Sequence, residues 1–267
     1  MLRCGILLAA TLPDNPPTRL QLCGTLAVEL RGRDVTAALP GGLGRELFAL
    51  LAVHRRRALP REELKDALWP LGPSAGADSA LSALLSRLRR ALGPGALEGR
   101  ALVRLVLPPN AWVDVEAAEA ALHRAEAAVA RRDWAGGWGP AQVALAVARR
   151  GFVPWADAPW VLERRRRMED VRASALECYA AIALGLGGSE LGTGERAARE
   201  LVARAPYRER GHALLMGLLA ARGNPAEALR VYAALRERLR EDLGIAPAPR
   251  LRELQAQLLR TGDLVRG

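Results

Sequence analysis

"ALSALLSRLRRALG", Ala80–Gly93, decides how the whole chain is read. At about 100° per residue, Leu81, Leu85, Leu88 and Leu92 fall on one stripe of a helix. Ser79, Ala83, Ser86 and Arg90 lie opposite, with Ser82 and Arg87 on the flanks. Asp78 or Ser79 is placed to cap the start, and Gly93 followed by Pro94 stops it. Small residues beside arginines let a helix approach a duplex closely. Serine can meet a base edge or a phosphate, and arginine can fork onto guanine or phosphate. A solvated surface helix has the same pattern, so the neighbouring elements must decide.

Upstream, residues 18–36 hold short alternating or apolar runs broken by Gly24 and "RGRD", which read as two or three strands. Leucine spacing in "LGRELFALLAVH" predicts a helix over 43–54. The link "RRRALP" follows, and "REELKDALWP" predicts a second helix over 61–70, stopped by Pro70. Downstream, "ALVRLVLPPNAWVDV" reads as a hairpin folded around "PPNA", carrying Arg104. Strands, helix, link, helix, loop, basic helix and hairpin is the order of a winged helix-turn-helix, whose last helix enters the major groove. Ser79, Ser82, Ser86, Arg87 and Arg90 are then the base-reading candidates. By position Arg45, Arg89 and Arg104 are candidates for the DNA backbone, and Arg55, Arg56 and Arg57 for further phosphates.

From Asp114 onward strand signals vanish. Helices are expected near 114–132, 138–150, 159–187, 194–204, 207–222, 225–242 and 248–260, punctuated by "GGWGP", "DAP", "RAP", "GNP" and "GIAPAP". Antiparallel pairs of roughly 35 residues suggest a tetratricopeptide-like array. Its concave side is open to a peptide or partner domain, or is filled by its own last helix. The fold class is therefore mainly α with a small β component. Its expected parts are a lead-in at 1–17, a winged helix-turn-helix at 18–113, a helical array at 114–261 and a tail at 262–267.

The 267 residues are half apolar, enough for two ordinary cores, and carry a net charge of +10. Lys65 is the only lysine, so the basic bias is almost purely arginine and fits a GC-rich coding sequence as well as a polyanion partner. Residues 1–113 hold 15 Lys/Arg against 9 Asp/Glu, and the remainder 24 against 20, which concentrates the excess where the basic helix lies. Three cysteines at no metal-ligand spacing fit a reducing cytoplasm rather than a disulfide scaffold. No apolar run approaches the roughly 20 residues that span a membrane.

Stretches carrying a resemblance run through nine-tenths of the chain in order. They include "LCGTLAVELRGRDVTA", "REELKDALWP", "LSRLRRALG", "LPPNAWVDV", "FVPWADAPWVLERRRRMEDVRASALE" and "EALRVYAALRERLREDLGIAPAPRLREL". Together they resemble the Streptomyces antibiotic regulatory proteins, which join an OmpR-like winged helix to a bacterial transcriptional activator domain. The resemblance implies an activator that binds promoter-proximal repeats on double-stranded DNA. It also implies that the helical domain contacts RNA polymerase or a second protomer, as a homodimer.

Catalysis finds little footing. His54, His123 and His212 are scattered without a paired Cys, Asp or Ser, and no metal constellation or G-x-x-x-x-G-K-[ST] run occurs. The chain is read as no enzyme and as needing no cofactor. "GLGGSELGTG" (185–194) reads as an inter-helix loop, the six tryptophans as core anchors, and Arg164–Arg167 as a solvated run paired with Glu163, Glu169 and Asp170. The other reading of the chain is a protein-interaction module whose winged helix no longer reads sequence.

Overall fold

The structure, a computed structural model, describes residues 17–72 and 76–263, with side chains through residue 260. The expected lead-in and tail fall outside the described residues, save Pro17 and the last turn of the final helix. The described chain divides into two compact units. One runs to Asp114 and takes in Val153–Glu163; the other holds Val115–Phe152 and the chain from Arg164.

The first unit opens with strands β1 (Arg19–Gln21), β2 (Ala27–Leu30) and β3 (Arg33–Asp34). Then come α1 (Leu43–Val53), β4 (Leu59–Pro60), α2 (Arg61–Leu68), α3 (Ala77–Leu92), β5 (Leu97–Glu98), β6 (Leu102–Leu105) and β7 (Trp112–Val113). One sheet has the order β3-β2-β1-β7 and a second the order β4-β6-β5. Leu20, Leu47, Phe48, Leu51, Leu59, Leu64, Leu81, Leu85, Leu88 and Leu105 are sealed from solvent between these sheets and helices.

The hairpin expected around "PPNA" does not form. Its two strands part into different sheets: β6 pairs antiparallel with β4 and β5, while β7 pairs parallel with β1. Pro108 and Pro109 lack the amides a ladder needs, so the chain leaves the sheet there. It rejoins the other sheet where the Trp112 amide donates to the Thr18 carbonyl. The wing is instead β5–β6, paired Leu97 to Leu105 and Glu98 to Arg104, with its tip at 99–101.

Asp114 is fully buried, and its Oδ2 accepts the amides of Leu22 and Cys23 at 2.9 and 2.8 Å. These amides follow β1 directly, so a single carboxylate caps the end of that strand. Val153, buried and held at φ 41°, donates its amide to the Leu22 carbonyl at 2.9 Å, which anchors Val153–Glu163 on the same turn.

The remaining helices are α4 (Asp114–Ala130), α5 (Trp134–Ala148), α6 (Pro159–Leu186), α7 (Leu191–Arg204), α8 (Glu209–Ala221), α9 (Pro225–Leu243) and α10 (Pro249–Asp263), and the second unit takes α4 from Val115 and α6 from Arg164. α5 starts four residues before the expected 138, because Asp133 caps it by accepting the Gly136 amide at 2.9 Å. "GGWGP" thus lies inside the helix and does not break it. A Cβ on Gly137 would meet Ile182 at 2.8 Å and Ala128 at 3.0 Å, so glycine there lets α5 press against α4 and α6. α7 likewise starts at Leu191, which shortens the expected glycine-rich loop to a single 3-10 turn at Gly188–Glu190.

Helices α7, α8 and α9 pack as antiparallel neighbours around Ala198, Leu201, Leu215, Leu219, Tyr232 and Leu235. α10 returns against α8 and α9, burying Leu251 and Leu258. It lines a groove of about 740 Å³ together with Leu184, Ala213 and Leu214. None of the six tryptophans belongs to the fully sealed core. Trp138 instead stacks on Tyr179, with ring centroids 4.6 Å apart. The Arg164–Arg167 run pairs differently from expectation. Arg164 and Arg167 both reach Glu119 on α4, at 3.0 and 3.1 Å, and Arg165 donates to the Phe152 carbonyl. Among the described residues no helix is long and apolar enough to cross a membrane.

Candidate nucleic-acid interface

α3 seats its apolar stripe as its periodicity requires. Ala77, Leu81, Leu84, Leu85, Leu88 and Leu92 are buried, against α1 and α2 among others. Ser79, Ser82, Ala83, Ser86, Arg87 and Arg90 all lie exposed on the opposite side. The helix starts earlier than its sequence suggested: Gly76 holds the N-cap position with no side-chain cap, and Asp78 and Ser79 are inside the first turn. The Asp78 carboxylate faces cations instead, 3.3 Å from Lys65 Nζ and 3.9 Å from Arg61. Lys65 is buried, and a hydrogen bond to Glu62, with Asp78 adding to it, holds its ammonium above the ordinary lysine range.

The exposed candidates differ in how far the fold engages them. Ser82 Oγ donates to the Asp78 carbonyl at 2.8 Å and accepts from Arg61 at 2.8 Å. Ser86, Arg87 and Arg90 have no partner among the described residues and present their polar groups to solvent. Arg89 is half-buried and donates to the Gly99 carbonyl, tying α3 to the wing tip. Arg104 reaches across the wing to Glu98 at 3.1 Å, an exposed pair worth little in water.

Arg57 forms a two-pronged pair with Glu63, which holds its guanidinium above its usual range and draws the Glu63 carboxyl below its own. Arg55 and Arg56 are each engaged within the fold. Arg45, near the start of α1, is half-buried, and its Nε has no hydrogen-bond partner among the described residues. α3 and the wing therefore gather Ser79, Ser82, Ser86, Arg87, Arg89, Arg90 and Arg104. The Arg55–Arg57 link and Arg45 belong to the α1 side of the unit.

Sequence reasoning missed two residues here. Arg100 stands exposed at the wing tip; the run "LEGRALV", two apolar flanks around a glycine turn, was the available hairpin signal. Arg61 joins α2, α3 and the wing, and no local signal marks it, because its partners lie 17, 21 and 40 positions away.

Residues 113–259 match the family described as the bacterial transcriptional activator domain. The chain belongs to this family. Its sequence-level assignment to the Streptomyces antibiotic regulatory proteins holds. It is 32% identical over 229 residues to the regulatory protein AfsR of Streptomyces griseus, a match covering 82% of this chain and 22% of AfsR. It is 27% identical to the regulatory protein DnrI of Streptomyces peucetius, covering 91% of this chain and 92% of DnrI. The chain thus spans about a fifth of the AfsR it matches and nearly all of DnrI. A solved structure of Mycobacterium tuberculosis EmbR in complex with a low-affinity phosphopeptide superposes with a TM-score of 0.76. That match has 24% identity and covers 92% of this chain and 65% of EmbR. It bears out the fold class, a winged helix followed by a helical array with a small β component.

Proposed function

We infer that this family member is a DNA-binding transcriptional activator, not an enzyme. In this reading α3 enters the major groove of double-stranded DNA near a promoter, and the wing lies along the backbone. The helical unit contacts RNA polymerase or a second protomer. The observation that carries the reading is the outward face of α3: Ser86, Arg87 and Arg90 stand exposed on a helix whose other side is sealed by leucines. Two of the three are guanidinium forks, suited to guanine or phosphate. Arg100 at the wing tip joins Arg89 and Arg104 as a backbone candidate.

The test is selection of duplexes from a random pool with the full chain, followed by affinity across a salt series. A repeated motif bound orders of magnitude better than random duplex supports the reading, and the repeat spacing reports how protomers sit. Weak, salt-sensitive binding with no enriched sequence overturns it. One observation favours a second reading, an interaction module without sequence-specific binding. Arg57, Arg89 and Arg104, three of the expected backbone contacts, already bond within the fold.

A further inference from the structure

In the first two turns of α3, Asp78 and Ser82 are bonded into the protein's own architecture. Arg61, the first residue of α2, holds them with one side chain: its Nη2 donates to Ser82 Oγ at 2.8 Å and to the Asp78 carbonyl at 3.2 Å. The backbone amide of the same residue donates to the Ala101 carbonyl at 3.2 Å, at the wing tip. Arg61 therefore bonds both α3 and the wing.

Ser82 has a single hydroxyl proton, and it goes to the Asp78 carbonyl. One of its two lone pairs is taken by Arg61, so the hydroxyl cannot donate to a base or phosphate without dismantling this cluster. Asp78 itself is 71% exposed and puts a carboxylate beside the helix N-terminus. There it offsets the positive end of the helix dipole that would otherwise attract a phosphate. Ser79 stands exposed in the first turn beside the Asp78 carboxylate; beyond it the uncommitted donors begin at Ser86, one turn past Ser82, or about 6 Å along the axis at 1.5 Å per residue.

We propose that Arg61 is a positioning residue that sets where α3 meets DNA, so that base reading falls to Ser86, Arg87 and Arg90 in the C-terminal half of the helix. The proposal rests on the DNA-binding reading above. Arg61 acts through Ser82, Asp78 and the wing and does not touch DNA. A direct phosphate contact and a positioning contact leave different marks. Losing a phosphate contact lowers the slope of log affinity against log salt by about 0.9 and weakens all sequences alike. Losing a positioning contact leaves that slope in place and erodes the preference for the right sequence.

The experiment uses the full chain and the duplex selected with it, against a scrambled duplex of equal length and composition. Arg61→Ala, Ser82→Ala and the double variant are measured across a salt series, with thermal unfolding alongside. The expected result is a loss of about tenfold in preference for the selected duplex in Arg61→Ala, with an unchanged salt slope. Ser82→Ala shifts the same way by less, and the double variant loses less than the sum of the two single losses, because they share the Arg61–Ser82 contact. If Arg61→Ala fails to fold, Ser82→Ala carries the test, since it removes the Arg61 acceptor at the cost of one exposed hydroxyl bond to the Asp78 carbonyl. A salt slope reduced by about 0.9, or a preference unchanged in both single variants, overturns the proposal while the DNA-binding reading stands. A wild-type chain that selects no sequence overturns both.

Discussion

The guanidinium of Arg89, on α3, donates to the backbone carbonyl of Gly99, at the tip of the wing. Gly99 sits at φ +84°, and a Cβ there would collide with the Leu102 carbonyl. Gly99→Ala should therefore distort the wing and cost about 2 kcal/mol or more, at the upper end of ordinary substitutions. Arg89→Ala removes one exposed bond and should cost about 1 kcal/mol. Urea unfolding of both variants checks the order. An Arg89→Ala loss larger than that of Gly99→Ala would show that the wing depends on the arginine more than on its own turn.

Arg90 and Arg87 stand exposed without a partner among the described residues, so their removal disturbs little inside the fold. Arg90→Ala should leave the unfolding midpoint in place and weaken binding to a selected duplex by about 1–3 kcal/mol if it reads a base. A uniform weakening on every duplex would assign it to phosphate. No change on any DNA would remove it from the interface.

Asp114 satisfies two buried amides with one oxygen. Asp114→Ala leaves the Leu22 and Cys23 amides unpaired, each at a cost of about 1–3 kcal/mol. Asp114→Asn retains an acceptor and should lose less. Denaturant unfolding of the three proteins side by side tests this, and equal losses in Ala and Asn would mean that charge, and not the acceptor, matters at this turn.

His212 lies buried in α8, with Nε2 2.9 Å from the Pro206 carbonyl and Nδ1 without a partner among the described residues. Burial holds its pKa below the ordinary 6.5. The unfolded chain takes up a proton at higher pH than the folded one does. The stability that neutral His212 supports is therefore complete above about pH 6.5 and lost as pH falls through the lowered folded pKa. The urea midpoint should drop between about pH 7.5 and about pH 5.5, and His212→Gln should flatten that drop. An unchanged profile in His212→Gln would place the titrating group elsewhere.

Acid should act on a second set of residues at lower pH. Burial works to raise the Glu195 carboxyl, but hydrogen bonds from Arg199 and Arg222 outweigh it and hold it below 4.5. Glu200 is held down in the same way, against its burial, by Arg149 and Arg172. Both contribute stability that is present above about pH 4.5 and lost as pH falls through their lowered folded values. Replacing both with Gln should lower the midpoint at neutral pH and remove part of its fall below about pH 4.5. A double variant as acid-sensitive as the parent would contradict this assignment.

The sequence by itself determined which residues α3 buries and which it exposes, because that division follows from a local 3.6-residue period and needs no partner. It determined the helices from Asp114 onward for the same reason, with errors only where "GGWGP" and the glycines of 185–194 looked like breaks. Only packing against Ile182 and Ala128 makes glycine the right residue inside α5. The tertiary structure alone decided the parting of β6 from β7, since strand pairing joins residues far apart in the chain. It also decided which arginines remain available. Arg57, Arg61, Arg89 and Arg104 look alike in the sequence as cations near a basic helix. Their partners lie 6 to 40 positions away, at distances that no local pattern encodes.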